Sequence, residues 1–103
     1  MPTTKEDIEK ARLETRKRWI SEKVTEMIGF VNKYAKWNTD DKDYVSVWQT
    51  WKVPKKYANA RDEIYGEMKQ HFPDSTVIVT IETKQYLLWC WPYYELMIKV
   101  SWA

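Results

Sequence analysis

The sequence predicts an α+β domain, a two-layer sandwich in which two helices cover one face of a small mixed sheet. The predicted element order is α-β-α-β-β, and three observations support it. Apolar and polar residues alternate along 76–82 and 94–102, as they do in half-buried strands. Apolar residues recur every three or four positions along 20–35 and 57–72, as in amphipathic helices. A length of 103 residues suits one core, so 1–103 is predicted to be a single domain.

Helix 1 is predicted to begin at the capping-box pattern TTKE at 3–6 and to continue to about Trp37. Its second half has the apolar stripe that packs on the sheet. Its first half, 4–18, is rich in charge and has few apolar residues. A helix of this length spans about 50 Å at 1.5 Å per residue, more than the width of a compact domain this small. We therefore expect 4–18 to overhang the domain.

The middle of the chain is predicted to contain a connector, a strand and helix 2. The connector is the polar run 38–43, whose aspartates lack the glycine and the distal glutamate of a calcium loop. Residues 44–51 are β-branched and aromatic, which favours a strand. Helix 2 is predicted to begin at Pro54, because proline suits a first helical turn, and to end before Pro73. A strand-helix-strand order favours a parallel crossover, and this is why the sheet is predicted to be mixed.

The last third of the chain provides the two clearest strands. The odd positions of 77–81 and the even positions of 94–102 are apolar, whereas the opposite positions are mostly polar. One face of the sheet should therefore meet the helices and the other should meet water or a partner. Ile28, Val79 and Ile98 are predicted to be buried together. Residues 86–91 show no period, and an extra short strand, a short helix and a buried connection all remain open.

Several chemistries are disfavoured by what the sequence lacks. Its two glycines fall inside predicted helices, so neither a P-loop nor a dinucleotide-binding loop is expected. His71 is the only histidine and Cys90 the only cysteine, which excludes the multi-ligand zinc patterns. We predict no catalytic residue, no metal and no cofactor, and an enzyme is disfavoured without being excluded. The absence of an apolar leader or span predicts a cytoplasmic location and no membrane partner.

The chain is rich in aromatic residues, with seven tryptophans and seven tyrosines. Trp48 alternates with Val47 and is predicted to point to the open side of the sheet. The predicted first turn of helix 2 is unusual because lysines surround it, where acidic residues are preferred. Free helix amides beside lysines and aromatic rings suit an anionic group. The alternative, that the lysines simply extend into solvent, stays open. The predicted binding surface comprises Trp48, Trp51, Lys52, Lys55, Lys56, Tyr57 and Arg61.

A second basic cluster lies where helix 1 leaves its packed half. Three glutamates dilute it, so a solvated helix face is an alternative reading of the same residues. If both clusters faced the same way, they would form a groove for a nucleic-acid strand or the phosphates of a nucleotide. The sequence does not place them relative to each other. The members of this second cluster are Arg12, Arg16, Lys17, Arg18 and Trp19.

These observations favour a small non-enzymatic binding module that recognises a protein partner and also associates with itself as a homodimer. In character it is similar to the small inhibitors and adaptors that viruses and mobile elements encode, although no motif supports that analogy. The alternative hypothesis is a binder of a phosphate-bearing ligand, either a nucleotide-like molecule or single-stranded nucleic acid. A net charge of only +2 means that any such binding would depend on local clusters.

Overall fold

The predicted order α-β-α-β-β is confirmed by the structure, a computed structural model that describes residues 4–37, 46–85 and 91–102. The predicted connector at 38–43 and most of the ambiguous stretch 86–91 lie outside the described residues. The elements are α1 (Lys5–Trp37), β1 (Ser46–Val53), a 3₁₀ turn (Lys55–Tyr57), α2 (Arg61–His71), β2 (Thr76–Lys84) and β3 (Tyr93–Ser101).

The three strands form one sheet in the order β1-β3-β2, and both neighbouring pairs are antiparallel. The sequence predicts a mixed sheet, and in this respect it is wrong. β1 and β2 do run in the same direction, as the crossover through α2 requires. They are not neighbours, however, because the last strand of the chain lies between them and pairs with both.

The pairing register divides the sheet into an inner face and an open face. On the inner face, Val47 of β1, Val100 of β3 and Val77 of β2 form one row of buried residues. Ile98 and Val79 lie in the next row and are fully buried. The open face consists of the alternate positions of the same strands: Ser46, Trp48, Thr50 and Lys52 of β1; Tyr93, Glu95, Met97, Lys99 and Ser101 of β3; and Thr76, Ile78, Thr80, Glu82 and Lys84 of β2.

The second half of α1 packs against this inner face through one buried stripe. Ile20, Val24, Met27 and Val31 are all less than a tenth exposed. Ile28 is only partly buried against the same core, because one residue past Met27 it is turned about 100° around the helix axis. The predicted burial is therefore complete for Val79 and Ile98 and partial for Ile28. The core is completed by α2 and the segment before it, with Tyr57, Ala60, Ile64 and Met68.

The first half of α1, residues 4–18, extends from the packed core as an exposed stretch of helix, here called the overhang. Every residue from 4 to 18 is exposed except Arg16, which is partly buried. The radius of gyration is 16.7 Å, well above the roughly 13 Å expected of a compact chain this long. A capping box starts the helix one position later than the sequence suggests. The amide N–H of Asp7 donates to Oγ1 of Thr4, and the amide N–H of Thr4 donates to Asp7 Oδ2, both at 3.2 Å.

The prediction that helix 2 begins at Pro54 is wrong. Pro54 opens a single 3₁₀ turn, in which its carbonyl accepts from the amide of Tyr57 at 2.8 Å. α2 begins at Arg61, and its first turn contains Asp62 and Glu63. These acidic residues compensate the positive end of the helix dipole, and the lysines precede the helix in the chain. The predicted end of helix 2 is confirmed, since α2 ends at His71, before Pro73.

Replacing Ile98 by alanine should lower the free energy of unfolding by about 2–5 kcal/mol, because the side chain is fully buried at the centre of the core. The same replacement at Ile28, which is only partly buried, should cost clearly less. Urea denaturation of the two variants measures both effects. Equal losses at the two positions would contradict the assigned helix face.

Candidate functional site

The structure does not bring the seven residues of the predicted binding surface onto one surface. Trp48 and Lys52 belong to the open face and are exposed. Lys55 and Lys56 are exposed on the 3₁₀ turn. The two other aromatic residues of the prediction turn toward the core: Trp51 is partly buried against it, and Tyr57 is buried with 6% of its surface exposed.

The predicted orientation of Trp48 is confirmed, and the ring dominates the open face with 62% of its surface exposed. The register places it opposite Lys99 of the central strand, with Ile78 of β2 on the far side of that lysine. Ile78 is 41% exposed. Among the described residues Lys99 has neither an ion pair nor a side-chain hydrogen bond. One row of the open face therefore presents two apolar side chains with an unpaired ammonium group between them.

The rows on either side of Trp48 differ in character. Towards the end of β3 lies a row of hydroxyl groups, formed by Ser46, Ser101 and Thr76. In the other direction lie two threonines with a methionine between them, namely Thr50, Met97 and Thr80. The neighbours of Trp48 on its own strand, Ser46 and Thr50, are small and leave the tryptophan ring accessible, and Lys99 is partly exposed.

At the far end of the open face, two lysines have partners within the domain. Lys52 lies over the ring of Tyr93 at 5.2 Å from the ring centroid. Lys84 and Glu82 form an ion pair at 3.2 Å, and the hydrogen bond to this carboxylate raises the pKa of the Lys84 ammonium group. These cations are therefore less available to a ligand than Lys99.

The second basic cluster is connected to the first by a pair of aromatic rings. Trp19 of α1 stacks on Tyr57 of the 3₁₀ turn, with ring centroids 5.0 Å apart and an interplanar angle of 28°. Lys56 lies over the ring of Tyr57 at 5.0 Å, and Lys23 lies over the ring of Trp19 at 5.9 Å. The two clusters, which the sequence could not place, therefore meet at this stack.

Arg16 holds α1 to the start of α2. Its Nε donates to Glu63 Oε1 at 3.1 Å, and its Nη1 donates to Asn59 Oδ1 at 2.9 Å. The hydrogen bonds to Glu63 raise the pKa of the guanidinium above its usual value. A raised pKa in a base adds stability at every pH below its usual value, so this contribution is lost only in strong alkali. Arg16 is thus a structural residue, and its two partners were not identified from the sequence.

Arg61 is likewise occupied by contacts within the domain. Its Nε donates to the backbone carbonyl of Val79 at 2.7 Å, and its Nη1 lies 2.8 Å from Asp62 Oδ1. The guanidinium also lies 5.9 Å from the ring centroid of Tyr65. This side chain therefore connects α2 to β2 through its Nε, while about half of its surface remains exposed.

A groove of about 780 Å³ opens beneath the overhanging half of α1. One wall is the helix itself, and the other is the 3₁₀ turn, represented by Lys56 and Tyr57. Two exposed apolar side chains line the groove, Ile8 and Leu13, which are 47% and 59% exposed. Arg12 of the second cluster also lines it, whereas Lys17 lines a shallower groove between α1 and α2. Arg18 is exposed.

The described residues contain no group of three or more His, Cys, Asp or Glu side chains arranged to hold a metal ion. Within the same residues, no polar or charged side chain is buried. His71 is exposed at the end of α2 and makes an edge-on contact with the ring of Phe72 at 4.8 Å. In the part of the chain that the structure describes, no helix has the length and apolar content needed to cross a bilayer.

Replacing Arg16 by alanine should lower the free energy of unfolding by about 1 kcal/mol, because it removes a partly exposed but multiply hydrogen-bonded ion pair between α1 and α2. Lys17→Ala is the matched control, since Lys17 is an exposed neighbour on the same helix, and it should change stability by less than about 0.5 kcal/mol. Thermal or urea denaturation provides the comparison. Indistinguishable stabilities of the two variants would mean that the ion pair does not fasten the helix.

Comparisons of the chain with protein-family models, with curated proteins and with solved structures find no significant match. Any assignment of function must therefore come from the geometry described above.

Proposed function

We propose that this protein is a small non-enzymatic binding module that recognises a protein partner through the open face of its sheet. The observation that supports the proposal best is the row formed by Trp48, Lys99 and Ile78, in which an exposed tryptophan and isoleucine flank an unpaired lysine. Tryptophan is among the residues that contribute most to binding energy at protein interfaces.

The chemistry of the row defines the kind of partner that it fits. Two apolar side chains favour an apolar group on the partner, and the ammonium group of Lys99 favours a carboxylate placed between them. The small hydroxyl-bearing residues on either side allow a peptide segment or a helix face to approach closely. The partner we propose is thus a protein surface that presents an apolar side chain next to an aspartate or glutamate.

The main argument for the alternative hypothesis, a phosphate-bearing ligand, does not apply to the observed helix. It depended on an uncompensated helix N-terminus surrounded by lysines, whereas α2 has Asp62 and Glu63 in its first turn. Lys55 and Lys56 remain exposed, but Trp51 and Tyr57 face the core and offer no free ring beside them. The open face is therefore the better supported binding surface.

Trp48→Ala should weaken partner binding by about 2 kcal/mol or more while changing stability by less than about 0.5 kcal/mol, because the ring is exposed in the free protein. The measurement begins with proteins retained from an extract by the immobilised wild-type chain, and continues with the affinity of each purified partner. Lys99→Glu should weaken the same complexes, most strongly at low salt.

The matched control is Trp91→Ala, since Trp91 is 92% exposed but lies outside the sheet. Partners that are lost with Trp48→Ala and kept with Trp91→Ala support the proposal. If Trp48→Ala binds every partner as well as the wild type, the open face is not the binding surface. If binding disappears after nuclease treatment, or the purified chain absorbs at 260 nm through bound material, the phosphate-ligand hypothesis replaces it.

A further inference from the structure

The overhanging half of α1 is difficult to explain in an isolated chain. Residues 4–18 extend about 22 Å at 1.5 Å per residue, yet within this stretch only Arg16 makes a hydrogen bond to another element of the described structure. Isolated helices of this length are marginal in water. This stretch also exposes Ile8 and Leu13, both on the groove of about 780 Å³ beneath it. A second element packed in the groove would cover both apolar side chains and support the helix.

The charges of the overhang are separated along its length. Residues 4–10 contain two lysines and three carboxylates, a net charge of −1, whereas 11–18 contain four basic residues and one glutamate, a net charge of +3. The groove adds Lys56 to the basic part. If two such helices packed in parallel, the basic segment 11–18 of one copy, with its net charge of +3, would lie beside the same segment of the other copy. In opposite directions, the acidic first turns of each would face the basic residues of the other.

We propose that the groove is occupied by the first turns of α1 from a second copy of the chain, so that two overhangs pack antiparallel across a two-fold axis near Ala11. Ala11 is the midpoint of 4–18 and lines the groove, and its small side chain allows the two helix axes to approach closely. Each copy contributes the same surface, as a two-fold interface requires. In antiparallel packing the two helix dipoles also point in opposite directions, which is electrostatically favourable.

This interface is distinct from the open face and is independent of the function proposed for it. Ile8 and Ile78 offer a direct comparison, because both are exposed isoleucines, 47% and 41%, on different surfaces. Light scattering or analytical ultracentrifugation of the wild type should show a dimer of about 25 kDa, twice the 12.5 kDa of one chain. Ile8→Asp should raise the dissociation constant at least about tenfold, whereas Ile78→Asp should leave it unchanged. Added salt should weaken the wild-type dimer.

A crosslinking experiment tests the antiparallel arrangement in a background where Cys90 is replaced by alanine. Ala11→Cys should crosslink to its own copy with a short thiol-reactive linker. Lys5→Cys should not, because in the antiparallel dimer the two positions are about 18 Å apart along the helix axis. Circular dichroism checks that each variant keeps its helix content. The crosslinks report the arrangement even if Ile8→Asp unfolds the overhang.

Three results would overturn the proposal. The first is a wild-type chain that remains monomeric at high micromolar concentration. The second is a dimer that Ile78→Asp dissociates and Ile8→Asp does not, since this would place self-association on the open face. The third is crosslinking of Lys5→Cys as efficiently as Ala11→Cys, which indicates parallel helices. None of these results affects the test of the open face by Trp48→Ala against a different protein.

Discussion

The pairing of β3 with both other strands is the constraint on which the rest of the fold depends. Leu96, Ile98 and Val100 of this strand are fully buried, and each lies in a row between a residue of β1 and one of β2. β3 follows the other two strands in sequence and lies between them, so neither β1 nor β2 is paired with a neighbour in this sheet without it. The core and both faces depend on this register, because a shift of β3 by one residue would exchange the buried and exposed side chains of this central strand.

Both helices that the structure describes pack on the same side of that sheet. α1 and α2 pack on the inner face, with Met27, Ile64 and Met68 fully buried there. The alternate side chains of the same strands, Trp48 and Ile78 among them, consequently remain exposed. Successive side chains of a strand point to opposite faces, so the burial of Val47 and Val53 on the inner face directs Trp48 to the open face.

Features that depend on a local period could be predicted from the sequence, and features that depend on long-range contacts could not. The alternation in 76–82 and 94–102 gave the correct inner and open faces. This alternation also assigned Lys99 to the open face. That Lys99 lies in one row with Trp48 and Ile78 could not be predicted, because the row depends on how three strands distant in sequence are paired. Likewise, the bonds from Arg16 to Glu63 join residues that are 47 positions apart.

The predicted start of helix 2 was wrong because one local signal was compatible with two structures. Pro54 fits the first turn of an α-helix and equally well the start of a 3₁₀ turn, because its fixed φ suits both. Nothing in the sequence indicated that the predicted helix 2 would be divided into a 3₁₀ turn and a separate α-helix that begins at Arg61. That break changes the electrostatics, since it moves the helix N-terminus away from the lysines and next to Asp62 and Glu63. The burial of Tyr57 has the same origin, because the 3₁₀ turn directs its ring inward onto Trp19.

The two halves of α1 differ in what stabilises them. From Ile20 onward the helix is stabilised by the core, and before Arg16 its charges and its capping box are the main local contributions. The ion pair of Arg16 with Glu63 and the stack of Trp19 on Tyr57 lie at the boundary between these two parts of the helix. These contacts attach the helix to α2 and the 3₁₀ turn, and so set the direction in which the overhang projects. A set direction would reduce the conformational entropy that the overhang loses when it packs against a second helix, and would therefore favour the association proposed for this surface.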